Sequence, residues 1–180
     1  MADHSVEHLT VAELGNPVLR TVAQPVEEMS APAIQTLIDN LIHTAVETNG
    51  VGIAAPQVSE SLQLFIVASR PTLRYLDAPV MAPTAMINPQ ILARSDERVA
   101  GWEGCLSVPG LRGNVMRSRE IEVAYTDRHG QQHQKVFTDF VARIIQHEYD
   151  HLNGTVFLDR VESTLDLMSE AEYHARIVCG

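Results

Sequence analysis

The sequence predicts an α+β fold. The strongest strand signal is the alternation of polar and apolar residues over 120–125 (EIEVAY), which is typical of a half-buried strand. After a turn at 127–130, residues 134–137 return as a second strand, so the two strands form a hairpin. Helical patterns occupy other parts of the chain. Because strands and helices do not alternate regularly along the sequence, the α+β class follows.

The first helix is predicted from the spacing of its apolar residues and from the signals at its ends. It begins near Ser30, has Pro32 in its first turn and ends at the Asn-Gly pair 49–50. Its apolar residues recur three and four positions apart. They are Ile34, Leu37, Ile38, Leu41, Ile42, Ala45 and Val46.

Strands and a loop are predicted between this helix and the hairpin. The apolar run 62–68 (LQLFIVA) is typical of a strand, and residues 85–89 form another strand that a proline ends. Residues 90–92 are expected to continue the sheet after a bend. The proline-containing segment 70–84 is predicted to form a surface loop, with a flap beside a substrate groove as the alternative.

A second helix is predicted over 139–152, directly after the hairpin, and the Asn-Gly pair 153–154 stops it. The segment 163–178 has a weaker helical pattern, so we expect a helical tail from about residue 163. We assign residues 1–180 to one domain. The apolar stripe of the second helix consists of Phe140, Val141, Ile144, Ile145 and Leu152.

Composition excludes several classes of protein. The 180 residues are 45% apolar and 20% charged, an ordinary globular mixture. Thirteen basic and 23 acidic residues give a net charge of −10, which argues against specific nucleic-acid binding and against docking on anionic membranes. The sequence has two cysteines, no secretory signal pattern and no membrane-length apolar stretch. We therefore expect a soluble cytoplasmic protein whose thiols stay free to bind metal.

The segment 147–151 is an HExxH motif inside the second predicted helix. Residues four positions apart share one face of a helix, so His147 and His151 can bind a single metal ion. Glu148 lies beside them and can accept a proton from a water that the ion polarises. The plainer interpretation is two surface histidines on an amphipathic helix.

A catalytic metal site of this kind needs a third protein ligand. A metzincin protease would have histidine at Phe157, so that pattern fails, although Gly154 matches it. Cys105 lies upstream between glycine-containing segments and would bind iron or zinc as a thiolate, unless it is simply a small buried apolar residue. A thermolysin-like protease would take a glutamate from the tail. The candidates there are Glu162, Glu170 and Glu172.

Three segments together resemble the signature motifs of the peptide deformylases. They are residues 50–57 (GVGIAAPQ), 103–107 (EGCLS) and 146–154 (QHEYDHLNG), and they occur in the order and at the spacing of that family. Residues 15–20 and 140–143 are also similar to the family, and the resemblance extends over about residues 9 to 160. It implies antiparallel sheets packed around a central metal-binding helix that carries HExxH.

The resemblance also implies an activity. Peptide deformylases hydrolyse the N-formyl group from the N-terminal formylmethionine of new polypeptides and release formate. The metal ligands would be Cys105, His147 and His151, and Glu148 would serve as general base and then as proton donor to the departing amine. One divalent ion is expected, ferrous iron in the cell, with nickel, cobalt or zinc able to occupy the same site.

Further site residues follow only from the resemblance. The Gln57 side-chain amide and the Leu106 backbone N–H would stabilise the oxyanion. Arg112 would contact the peptide backbone or be solvated. Glu103 would support the site by a hydrogen bond to nearby backbone or to an arginine, or be a plain surface charge. An extended peptide would lie between residues 51–53 and Gly104, with its methionine near the helix. The residues named for peptide binding are Val51, Gly52, Ile53, Gly104, Arg112, Arg143 and Ile144.

The expected partners are N-formylmethionyl nascent peptides. The tail is acidic, so we expect at most transient contact with the ribosome, and the chain is expected to be a monomer or a homodimer. Two other functions remain open at this point. One is an HExxH metalloprotease, and the other is a catalytically silent metal-binding relative of the deformylases.

Overall fold

The computed structural model describes residues 6–179 of the chain, which form two antiparallel sheets around a central helix. The five-stranded sheet has the order β1-β2-β3-β6-β7, and the three-stranded sheet has the order β4-β5-β8. The strands are β1 Gly52–Ala54, β2 Leu64–Val67, β3 Thr84–Arg94, β4 Arg98–Cys105, β5 Val108–Ser118, β6 Glu120–Thr126, β7 Gln132–Thr138 and β8 Leu167–Ser169. The α-helices are α1 Pro32–Glu47, α2 Asp139–Leu152 and the short α3 Glu170–Tyr173.

Helix α2 lies between the sheets and contacts strands of both. Its apolar stripe packs on β1 and β2, where Ile144 and Ile145 join a buried cluster with Ala54, Phe65 and Val67. Helix α1 covers a second cluster formed with the same two strands. Both long helices occupy the segments predicted for them, and the predicted α+β fold with antiparallel sheets is confirmed.

The proline at position 89 does not end β3, which corrects the sequence-based boundary. The strand continues to Arg94 because a bulge between Ile87 and Gln90 takes the Asn88-Pro89 pair out of the ladder. Asn88 has a positive φ of 49°, and its side-chain amide both accepts from the Val26 N–H and donates to the Val26 carbonyl group. The bulge is therefore fixed by a neighbouring segment.

The long β4–β5 hairpin had no clear signal in the sequence. Glycines interrupt the alternation of polar and apolar residues in these strands, and two of them face buried arginines. A Cβ atom at Gly101 would lie 2.7 Å from the Arg143 guanidinium carbon, and one at Gly104 would lie 2.6 Å from Nη1 of Arg112. Glycine at these two positions weakens the alternation of polar and apolar residues, but it leaves the space that two large arginine side chains occupy.

The C-terminal segment is not one helix, contrary to the expectation of a helical tail from about residue 163. A 3₁₀ turn at Thr164–Asp166 leads into β8, which pairs with β5 at Leu111–Gly113. Only then do α3 and a π-helical turn, His174–Val178, follow. Over residues 6–179, no helix combines the length and apolar character needed to cross a membrane.

Candidate active site

The structure brings the three predicted metal ligands together. Helix α2 places His147 and His151 one turn apart on its buried face, and β4 ends at Cys105 opposite them. The candidate ligand atoms of the three residues all lie within 4.8 Å of one another, and Cys105 Sγ is 3.3 Å from Nε2 of His151. One thiolate and two imidazoles suit a divalent ion such as zinc or iron and leave a fourth position open.

Glu103 is a buried support for His147 and not a surface charge. Its carboxylate oxygen Oε2 lies 2.9 Å from Nδ1 of His147, which leaves Nε2 of that imidazole for the ion. Both carboxylate oxygens also accept hydrogen bonds from Arg117, and Arg143 adds a further one at 2.9 Å. Burial alone would raise the pKa of Glu103, but the hydrogen bonds from Arg117 and His147 outweigh it and hold the pKa below its usual range.

Asp150 completes the hydrogen bonds around Arg117, although it was not among the predicted site residues. It accepts a hydrogen bond from Nη1 of Arg117 at 2.6 Å and two more from Arg160. Its position three residues after His147, on the helix face that carries the ligands, is the signal that could have found it. We refer to Glu103, Arg117, Arg143 and Asp150 as the inner network.

Glu148 lies next to the ligands and is 4% exposed. Among the described residues its Oε2 atom has no hydrogen-bond partner, so this oxygen is available to a water or to substrate. Burial raises the pKa of Glu148 from 4.5 to about 7. Gly52 allows β1 to approach this side chain, because a Cβ atom there would come within 2.9 Å of the Glu148 carboxylate carbon.

Gln57 is held in one orientation at the edge of the same site. Its Oε1 atom accepts from the Ala54 N–H at 2.8 Å, so the amide nitrogen faces the ligands. Nε2 lies 3.4 Å from Cys105 Sγ and 3.2 Å from Ser107 Oγ. Leu106 directly follows Cys105 and lines the same cavity.

Most of the residues expected to bind peptide line one cavity together with Cys105 and His147. Strand β1 is the edge of the five-stranded sheet, and among residues 6–179 no other strand pairs with its outer side, where an extended chain can add. Ile53 differs, because its side chain is fully buried in the core and only its backbone can contribute. The sequence-predicted residues that line the cavity are Val51, Gly52, Gln57, Gly104, Cys105, Leu106, Arg112, Arg143, Ile144, His147 and Glu148.

Arg112 is not a solvated arginine, since only 1% of the residue is exposed. Its Nη1 donates to the Tyr75 hydroxyl oxygen and its Nη2 to the Glu170 carboxylate, each at 2.9 Å. Tyr75, Arg74 and Phe140 also line the cavity, and the sequence analysis missed all three. The segment 70–84 therefore lies beside the groove, as in the flap alternative.

The site combines two imidazoles on one helix, a cysteine sulfur atom on a neighbouring strand and a buried carboxyl group. This combination is typical of a metallohydrolase that binds one ion. The family model for polypeptide deformylase matches residues 8–166. Peptide deformylase 2 of Nostoc sp. is 59% identical over 167 residues, 93% of each chain. Peptide deformylase 2 of Shewanella oneidensis is 45% identical over 152 residues, 84% of this chain and 83% of that one.

Solved structures agree with these matches. The Met-Ala-Ser-bound class I type b peptide deformylase from Acinetobacter baumannii superposes with a TM-score of 0.85 at 46% identity, covering 87% of this chain and 100% of that one. The peptide deformylase from Thermotoga maritima gives a TM-score of 0.79 at 34% identity, covering 87% and 99%. The chain belongs to the polypeptide deformylase family. The predicted family and enzyme class are confirmed. The protein removes the N-terminal formyl group from polypeptides. The two alternatives, a metalloprotease and a catalytically silent relative, are not favoured.

Proposed function

We propose that Cys105, His147 and His151 hold one divalent ion and that Glu148 moves the proton in the deformylation reaction. The observation that carries this proposal is the convergence of the three ligand atoms within 4.8 Å beside a buried carboxylate oxygen that has no partner in the described part of the chain. A bound ion would polarise the formyl carbonyl group and lower the pKa of a water molecule.

Glu148 is suited to both halves of the proton transfer. Its Oε2 atom accepts a proton as water attacks the formyl carbon, and the same carboxyl group then donates it to the departing amine as the carbon–nitrogen bond breaks. A pKa of about 7 favours both steps near neutral pH. The products are formate and a peptide with a free amino terminus.

Gln57 and Leu106 stabilise the negative charge on the formyl oxygen in this proposal. The Gln57 amide nitrogen faces the ligands because the Ala54 N–H fixes the other end of its side chain. The Leu106 backbone N–H is placed by its position directly after Cys105. Donors that are already oriented cost no reorganisation during the reaction.

The peptide is proposed to pair with the free edge of β1, between residues 51–53 and Gly104, as an added strand. The methionine side chain then lies against Ile144 and the stem of Arg143, whose guanidinium group is held away from it by Glu103 and by the Val115 carbonyl group. The wall is therefore apolar although an arginine contributes to it.

We further propose that the ion is ferrous iron in the cell and that nickel, cobalt or zinc can replace it. A mixed sulfur and nitrogen donor set supports this range of ions. The substrates are N-formylmethionyl nascent peptides. The protein acts on them in the cytoplasm and contacts the ribosome at most transiently. A net charge of −10 supports the absence of specific nucleic-acid and membrane binding. We infer one domain over residues 1–180 and a monomer or homodimer.

The test is formate release from formyl-Met-Ala-Ser by protein loaded with iron or nickel without oxygen, with metal content measured in parallel. The parent protein should release formate, and Glu148→Ala should bind one ion per chain but lose activity. Glu120→Ala, an exposed glutamate outside the site, is the control and should match the parent. Release by Glu148→Ala at the parent rate, or no release by the metal-loaded parent, would contradict the proposal.

A further inference from the structure

Two segments that are far apart in the sequence meet at Arg112, which lines the active-site cavity. They are the loop 70–84 and the C-terminal residues 167–173, and Arg112 joins them through its hydrogen bonds to Tyr75 and Glu170. We refer to Arg74, Tyr75, Arg112 and Glu170 as the rim. Three of these residues line the same cavity as the metal ligands.

The charges of the rim do not cancel. One carboxylate oxygen of Glu170 lies 2.9 Å from Nη2 of Arg112 and 3.0 Å from Nε of Arg74. Two guanidinium groups thus share one carboxylate, which leaves an excess positive charge at this side of the cavity. Arg143, the third arginine of the cavity, is engaged by Glu103 and by three backbone carbonyl groups, those of Val99, Gly101 and Val115.

Arg74 is the residue that can use this excess charge. Its ion pair with Glu170 joins Nε to a carboxylate oxygen at 3.0 Å. Within residues 6–179 its terminal nitrogens, Nη1 and Nη2, donate no hydrogen bond to the protein. Its side chain is 33% exposed, so it can reach a ligand in the cavity. Asp77 lines a neighbouring depression, which Arg74 also borders, but it does not line the cavity that holds Cys105 and His147. A guanidinium group fixed at Nε presents a fork that matches a carboxylate.

We propose that Arg74, fixed by Glu170, is a specificity-determining residue that favours formylated peptides with an acidic side chain downstream of the methionine. This inference rests on the proposed function, because it places the formyl group at the metal ligands and the methionine beside Ile144. The residues that follow then extend toward the rim. An aspartate or glutamate there pairs with Arg74, whereas a lysine meets a like charge.

The first experiment compares kcat/KM for formyl-Met-Ala-Glu, formyl-Met-Ala-Gln and formyl-Met-Ala-Lys, and for peptides that carry the same three residues at the second or fourth position. At one or more positions kcat/KM should be about three- to fivefold higher for the glutamate peptide than for the glutamine peptide, and lower for the lysine peptide than for the glutamine peptide. The preference should shrink as salt is added, since the pair is partly exposed. Equal values for glutamate and glutamine at every position would overturn the proposal.

The second experiment measures the same glutamate-to-glutamine ratio in variants. Arg74→Gln should bring the ratio close to one, whereas Arg74→Lys should keep part of it because the charge remains. Arg128→Gln is the matched control, since Arg128 is similarly exposed and paired with Asp39 but lies outside the cavity, and it should keep the full ratio.

Each ratio is taken within one variant, so a general loss of rate does not change it. A preference that survives in Arg74→Gln would overturn the assignment of Arg74. No formate from the glutamine peptide with metal-loaded parent protein would instead overturn the proposed function, and the specificity proposal with it.

Discussion

The two sides of the active site are built on different principles. The inner network is buried, and its carboxylates Glu103 and Asp150 both pair with Arg117, each within 2.9 Å. The rim is partly open to solvent, and Arg74 keeps two nitrogens without a protein acceptor among the described residues. Metal chemistry needs ligands held in one geometry, whereas a cleft that accepts many peptides needs groups that remain free to pair.

This difference has an energetic consequence. A buried ion pair contributes little net stability when intact, but removal of one partner leaves an uncompensated charge in the interior. A partly exposed ion pair is screened by water, so its loss costs little. Variants of the inner network should therefore affect both stability and metal binding, and variants of the rim should mainly affect substrate choice.

The largest effect is expected for Arg117→Met, which leaves Glu103 and Asp150 without their shared partner. We expect a loss of at most about 3–5 kcal/mol in the free energy of unfolding, since Glu103 keeps Arg143 and Asp150 keeps Arg160. Metal binding or activity should weaken about 10- to 100-fold, because Glu103 no longer orients His147 firmly. Urea unfolding and metal titration measure the two effects.

Arg119→Met is the matched control for Arg117→Met. Arg119 also pairs with two acids, Glu97 and Asp139, but its side chain is 50% exposed. Its loss should change the free energy of unfolding far less than the loss of Arg117, because water screens these exposed pairs. Equal destabilisation by the two variants would show that burial does not separate the inner network from surface pairs.

A smaller effect is expected for Gln57→Ala, which lies between the two sides of the site. Loss of the amide donor should lower kcat about 100-fold with little change in KM, because the oxyanion forms only during the reaction. Metal content should stay at one ion per chain. Gln63→Ala removes a comparable hydrogen bond, to the Ala23 carbonyl group, outside the cavity, and it should keep kcat. A change confined to KM would argue for a role in substrate binding instead.

Much of the inner side of the site can be predicted from the sequence, because the motif and the apolar spacing that indicate it lie within short segments. Helix α2 has regular apolar spacing, and HExxH places three chemical groups within five consecutive residues. Cys105 was only one of several candidates for the third ligand on that evidence, and the resemblance to a family favoured it. The bonds from Arg117 to Glu103 and Asp150 span 14 and 33 residues, so no periodic pattern could reveal them.

The rim could not be predicted because it exists only in the folded chain. Arg112 reaches 37 residues back to Tyr75 and 58 residues forward to Glu170. The sequence of the tail predicts a helix and not a strand, because β8 is too short to show an alternating pattern. Its strand structure comes from pairing with β5. A glutamate considered as a possible third metal ligand, Glu170, is instead the acid that organises the rim.

The smallest effect is expected for Glu170→Gln, and its pH dependence distinguishes the rim from a neutral contact. Burial would raise the pKa of Glu170, but the hydrogen bond and charge of Arg112 outweigh it and lower the pKa below 4.5. A carboxyl group with a lowered pKa stabilises the folded state above its unfolded pKa and loses that contribution as pH falls.

At pH 7 the parent should therefore exceed Glu170→Gln by less than about 1 kcal/mol in urea unfolding, and the difference should shrink as pH falls through and below 4.5. Glu172→Gln, on the same short helix, breaks only an exposed pair with Arg176 and should change stability less. A difference for Glu170→Gln that stays constant down to the acid limit would mean that the carboxylate charge does not hold the rim together. Arg112 would then have to be positioned by its hydrogen bond to the Tyr75 hydroxyl group and by its stacking on the rings of Tyr75 and Tyr173.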